Sequence, residues 1–117
     1  MDMGIEGKTA LICGSSKGLG RGCAEALAAE GVNLVMNART SSNLERTAEK
    51  IRKTYKVGVK TIACDVTTVD GQNKVFDTIS NLDILVTNAG GPPPGMWHDW
   101  EQEDFLAALN ANMLTPI

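Results

Sequence analysis

Apolar residues along the chain fall into short unbroken runs separated by longer stretches with helical spacing. The runs cover residues 9–13, 32–37, 59–64 and 84–87. They do not alternate with polar residues, as expected of strands in a parallel sheet covered on both faces. After the first run, Leu19, Cys23, Ala26 and Leu27 share one helical face. After the second, Leu44, Ala48, Ile51 and Tyr55 recur at helical steps, and Ser42 and Glu45 have the spacing of a capping box at the start. A third helix is expected over 69–79 and a fourth from near Glu101. Strand and helix in alternation predict right-handed crossovers and an α/β fold with a doubly wound parallel sheet. The stretch GGPPPG reads as a rigid loop and not a boundary, because a helix follows it, so residues 1–117 read as one domain.

Glycine is concentrated where the first strand gives way to the first helix, in CGSSKGLGRG. In a sheet of this kind ligands sit outside the carboxyl ends of the strands. Gly14 suits a tight turn with positive φ. Gly18 and Gly20 lack a Cβ, so backbone can approach a phosphate or the helix can pack closely on the sheet; both readings stand on the loop alone. Ser15 and Ser16 can cap the helix or donate to an anion. The spacing is GxxxGxG rather than GxGxxG, and no Gly-Lys-Ser/Thr follows, which excludes a P-loop.

The second strand ends in NART, and no Asp or Glu occurs between Gly31 and Leu44. A domain built for NAD places an acid at that strand end to hold the ribose 2′-hydroxyl. Here Arg39, with Lys17 across the loop, suits a 2′-phosphate instead. The missing acid also disfavours an S-adenosylmethionine-binding methyltransferase.

Composition narrows the choice further. The 117 residues are 43% hydrophobic and 21% charged, with a formal net charge of −3. That balance argues against nucleic acid or an anionic membrane surface as partner. No apolar stretch has the length of a membrane span, and MDMGIEGK lacks the character of a signal peptide. Cys13, Cys23 and Cys64 show no CxxC spacing and read as buried reduced thiols of a cytoplasmic protein. His98 is the only histidine, so no metal site is expected.

Four ordered stretches together resemble the short-chain dehydrogenase/reductase family. CGSSKGLG is similar to its TGxxxGxG cofactor loop, with Cys13 in the Thr position. Cys64-Asp65-Val66 resembles the segment after the third strand. TNAG, Thr87–Gly90, resembles the NNAG motif after the fourth. FLAALNANMLTPI resembles the segment carrying the family's active-site asparagine, and a spacing of seven from Phe105 selects Asn112 over Asn110. The resemblance implies a Rossmann-like sheet with strand order 3-2-1-4 and NADP as cofactor. It implies that Gly14, Ser15, Ser16, Lys17, Gly18, Leu19 and Gly20 cradle the pyrophosphate side. Arg39 with Thr40 would hold the 2′-phosphate, Asn37 is a further cofactor-binding candidate, and Asp65 and Val66 would border the adenine. Asn88, Ala89 and Gly90 would line the ribose and nicotinamide side, and Asn112 would be the one member of the catalytic set present.

The family moves hydride between nicotinamide and a carbonyl or alcohol carbon, with a Tyr-x-x-x-Lys pair supplying the proton. The sole tyrosine, Tyr55, is followed four residues later by Val59 and lies on an apolar helical stripe. The chain therefore reads as the cofactor-binding first half of a reductase, truncated after the fourth strand and part of the following helix, and inactive alone. GGPPPG hints at the 3-oxoacyl-thioester reductases of the family. The fourth strand, central in that topology, would here be an edge, so self-association is expected. The competing reading is a dinucleotide-binding module without catalysis, and a reading frame continuing into a Tyr-x-x-x-Lys discriminates the two.

Overall fold

The computed structural model describes residues 1–117. Strand β1 (Thr9–Ile12) leads into helix α1 (Gly18–Ala29), then β2 (Asn33–Ala38), α2 (Ser41–Tyr55), β3 (Val59–Ala63), α3 (Val69–Thr78) and β4 (Ile84–Val86). A 3-10 turn at Trp97–Asp99, helix α4 (Gln102–Leu109) and a π-helical turn at Asn110–Leu114 complete the chain. All four strands are parallel, in the order β3-β2-β1-β4. The expected elements are all present, with strand ends displaced by a residue or so.

One face of the sheet is closed by α1 and α2. Ala10 and Ile12 of β1 and Leu34, Met36 and Ala38 of β2 pack with Ala24, Ala28, Leu44, Ala48 and Ile51 in a single buried cluster. The α2 stripe lies where its periodicity puts it, with Tyr55 partly buried at its end. The other face carries a smaller cluster of Leu11, Val35, Ile62 and Val75, the last from α3.

Helix α1 turns inward a face that overlaps only in part with the predicted one, since Cys23 and Leu27 pack against the core but Leu19 and Ala26 do not. Gly20, Ala24 and Ala28 are buried, whereas Leu19 is 84% exposed and Ala26 is exposed. The reason is distance. A Cβ at Gly20 would stand 2.2 Å from the Gly14 carbonyl oxygen, so only small residues at four-residue steps let this helix sit so close to the strand ends. The Ser42–Glu45 capping box does not form either. Thr40 is the N-cap, two residues ahead of Ser42, and Glu45 instead accepts from the Thr61 hydroxyl of β3. The three cysteines are half-buried rather than buried, and all are free.

Candidate functional site

The loop leaving β1 divides its glycines between two duties. Gly14 (φ +59°) and Gly18 (φ +61°) both adopt the left-handed conformation that disfavours side chains. A Cβ on Gly14 would meet Asn88 Nδ2 at 2.9 Å, so this residue and Gly20 serve close packing. A Cβ on Gly18 would meet nothing within 4 Å, so it opens onto free space at the head of α1. The N-cap Lys17 makes no side-chain capping bond, and the first turn of α1 holds no acid. The first-turn N–H groups of α1 thus keep their donors and positive end free for an anion.

Below the loop, the carboxyl ends of all four strands border a cleft of about 370 Å³. Eight predicted site residues line it: Gly14, Asn37, Arg39, Asp65, Val66, Asn88, Ala89 and Gly90. Ala107, Ala108, Ala111 and Asp104 of the α4 segment form the opposite wall. The small side chains there leave room for a flat group against Val66. Asn88 donates from Nδ2 to the Gly14 carbonyl at 3.2 Å, tying the β4 exit to the glycine loop.

Asp65 starts a tight turn. Its Oδ1 accepts from the Thr67 hydroxyl at 2.6 Å and from the Thr67 N–H at 2.9 Å. These bonds, with the Arg39 guanidinium nearby, hold its carboxyl below the usual carboxylate range. Thr68 caps α3 by accepting from Gly71 N–H at 3.1 Å. Burial pushes the Cys13 and Cys64 thiols above the ordinary thiol range.

The other predicted residues lie outside this cleft. Ser15 is fully buried behind the loop and bonds to β2. The Ser16 carbonyl accepts from Thr47 Oγ1 at 2.8 Å, which anchors the loop to α2. Lys17, Gly18 and Leu19 form the exposed tip, Gly20 is buried, and Thr40 is an exposed cap. Asn112 lines a second, more apolar cleft of about 540 Å³ with Leu11, Cys13, Leu85 and Asn88, and its amide donates to the Ala108 carbonyl at 3.1 Å. His98 stands 3.6 Å from Asp99 and packs edge-on to Trp97, and neither Trp97 nor Trp100 lines either cleft.

Two features escaped the sequence reading. A Cβ on Gly71 would come within 1.8 Å of the Asp65 carbonyl oxygen, so this glycine lets α3 rest on the Asp65 turn. An isolated glycine inside a helical pattern was the available signal. Asp104 is an acid in the cleft wall, and nothing in its spacing distinguishes it from a first-turn helix acid.

The chain matches the family profile described as short chain dehydrogenase over residues 8–117. It is 29% identical over 118 residues to the uncharacterized oxidoreductase YvaG of Bacillus subtilis (strain 168), covering 100% of this chain and 45% of that protein. It is 42% identical over 89 residues to a very-long-chain 3-oxoacyl-CoA reductase of Debaryomyces hansenii, covering 73% of this chain and 26% of that protein. Among solved structures it is similar to L-sorbose reductase from Gluconobacter frateurii complexed with NADPH and L-sorbose. The TM-score is 0.93 at 33% identity, over 99% of this chain and 46% of that one. The chain thus spans less than half the length of each of these relatives.

Proposed function

The chain belongs to the short chain dehydrogenase family, and on that footing we propose that it forms the NADP-binding part of an oxidoreductase acting on a small carbonyl or alcohol substrate. The observation that carries this reading is the placement of Arg39 and Asp65 on one cleft at the strand ends, where β2 supplies no acid. Arg39 offers a guanidinium to a 2′-phosphate, whereas a ribose 2′-hydroxyl would find no carboxylate on β2. The residues present fit a dinucleotide. Gly18 and the uncapped head of α1 would take the pyrophosphate, with Lys17 adding charge at the tip. Val66 and the alanines opposite would take the adenine. Asn88, Ala89 and Gly90 would border the ribose next to the nicotinamide. Bound there, the cofactor would supply a hydride to, or accept one from, a carbonyl carbon.

The substrate class we favour is a 3-oxoacyl thioester, supported by the likeness to a 3-oxoacyl-CoA reductase and by the GGPPPG loop beside the cleft. The three free cysteines are in keeping with a reducing compartment such as the cytoplasm. Within these 117 residues no Tyr-x-x-x-Lys occurs, so we expect the polypeptide by itself to bind NADPH without oxidising it in the presence of a ketone. The same residues would serve a non-catalytic dinucleotide-binding module. We also propose a homo-oligomer, and in the 117-residue polypeptide itself β4 stands at the end of the strand order with Leu85 54% exposed, so this polypeptide is expected to self-associate. A monomer by light scattering at high concentration would count against that assembly.

Fluorescence titration with NADPH and NADH tests the cofactor assignment. Wild type should prefer NADPH by about tenfold to a hundredfold, the worth of one charge-assisted hydrogen bond. Arg39→Asp should abolish or reverse the preference, and Gly18→Val should block both cofactors. Equal affinities in wild type would overturn the NADP assignment, and tight binding by a folded Gly18→Val protein would overturn the loop's role.

A further inference from the structure

A buried polar junction connects the strand ends beneath the cleft. Strand β1 leaves the sheet after Ile12, which deprives the Asn37 backbone of its partner on that side. Ser15 replaces it. Its N–H and its hydroxyl both donate to the Asn37 carbonyl, at 2.9 and 3.2 Å, and the same hydroxyl accepts from the Asn37 N–H at 3.1 Å. The Asn37 side chain reaches the opposite way. Its Nδ2 lies 3.0 Å from the Ile62 carbonyl, 3.2 Å from the Cys64 carbonyl and 3.3 Å from Cys64 Sγ, all on β3 or its exit. The Cys64 thiol in turn faces the Gly71 carbonyl of α3 at 3.4 Å. Ser15 is fully buried and Asn37 is 1% exposed.

We propose that Asn37 is a positioning residue that fixes the gap between Arg39 and Asp65, and so sets discrimination between NADP and NAD. This deepens the cofactor assignment above and rests on it. Both amide hydrogens of Asn37 are directed at β3 acceptors, so Asn37 has none to offer an anion and acts through its neighbours. Arg39 lies two residues beyond Asn37, and Asp65 follows Cys64 directly. The amide therefore braces β2 and β3 at the rim of the cleft, beside the backbone bond from Cys64 N–H to the Ala38 carbonyl at 3.0 Å. A buried residue so engaged is costly to replace unless its partners are also relieved. Removing the amide leaves that backbone bond alone to hold the two exits, which can then shift relative to one another. Arg39, held only from its own strand, then loses its fixed place relative to the adenosine end, while the pyrophosphate loop remains anchored through Ser16 and Thr47.

The test is the ratio of NADPH to NADH affinity in the 117-residue protein, measured by fluorescence titration for wild type, Asn37→Ala and Ser15→Ala. Asn37→Ala should lower the ratio by about fivefold or more, on the scale of a lost hydrogen bond, with NADH affinity changed by less than about twofold. Ser15→Ala removes only the hydroxyl bridge and should shift the ratio in the same direction by less. It also supplies the readout if Asn37→Ala does not fold. Asn37→Ser, which keeps one donor, should restore part of the ratio. A folded variant that weakens both cofactors equally, or neither, overturns the positioning role and leaves the NADP assignment intact. A wild type that binds NADPH no better than NADH overturns both.

Discussion

All twenty buried residues lie between Ala10 and Val75, and from Phe76 to Ile117 there are none. The two stretches are held by different physics. In the first, parallel strands are covered by α1 and α2, and Ile12, Leu34, Met36, Leu44 and Ile51 are all but completely removed from water. In the second, α4 is secured at its own start. Glu101 N–H donates to Asp104 Oδ2 at 2.8 Å, and Glu103 and Asp104 place negative charge at the positive end of the helix. Its apolar side chains, Phe105, Leu106 and Leu109, remain 57, 53 and 44% exposed. Strand β4 joins the sheet with Ile84 and Val86 only partly buried against the core, and Asp83 before it bonds Thr9 by both its N–H and its carboxylate. The cleft lies between these regions. Arg39 and Asp65 stand on the well-packed side, and the wall of alanines opposite belongs to the lightly packed side.

The contrast is easiest to break with glycines. Gly20→Val drives a branched side chain into the Gly14 carbonyl, where even a Cβ would be at 2.2 Å. The expected outcome in urea unfolding is a loss of about 4 kcal/mol or failure to fold, the range of a severe core substitution. Gly90→Ala on the other side meets nothing within 4 Å and has no left-handed φ, so it should stay within about 0.5 kcal/mol of wild type. Comparable losses from the two would erase the distinction.

Truncating apolar side chains sharpens it. Ile51 is 1% exposed, and Ile51→Ala should cost about 2–5 kcal/mol by loss of burial and creation of a cavity. Leu106→Ala removes a side chain that is already half in water and should cost less than about 1 kcal/mol. Chemical denaturation of both variants measures the difference. A large loss from Leu106→Ala would mean that α4 is packed more firmly than its exposure indicates.

What the sequence makes legible follows the same division. Continuous apolar runs mark the four strands, and glycine after the first of them marks the ligand-facing end, because burial on both faces and close backbone approach each leave a local trace. The α2 stripe is legible because large side chains make its contacts. The α1 face is legible only in part: Cys23 and Leu27 pack against the core, but the buried positions are Gly20, Ala24 and Ala28, and a pattern weighted by hydrophobicity favours Leu19, which points to solvent. The bond between Ser15 and Asn37 spans 22 residues and depends on where β1 leaves the sheet, which no local spacing encodes. Cys13 and Cys64 directly follow β1 and β3, where the strands have ended, and both are half-covered.

The smallest effect concerns the carboxylate at the edge of the well-packed region. Asp65 accepts two bonds from Thr67 and lies near Arg39, which together lower its pKa. A carboxyl whose folded pKa is depressed stabilises the fold above its unfolded pKa of about 4, and that stabilisation is lost as pH falls through the lower folded value. Because Asp65 is open to water on the cleft side, the contribution is screened and should not exceed about 0.5 kcal/mol. Asp65→Asn keeps an oxygen to accept from Thr67 but does not titrate. Thermal melts of the two proteins should therefore differ by this small amount near neutral pH, with wild type the more stable. The difference should close below the folded pKa, as the wild-type carboxyl takes up its proton. Curves that stay parallel across the acid range would show that the Thr67 turn is indifferent to the charge it holds, and that Arg39 contributes nothing to Asp65 in the unliganded cleft.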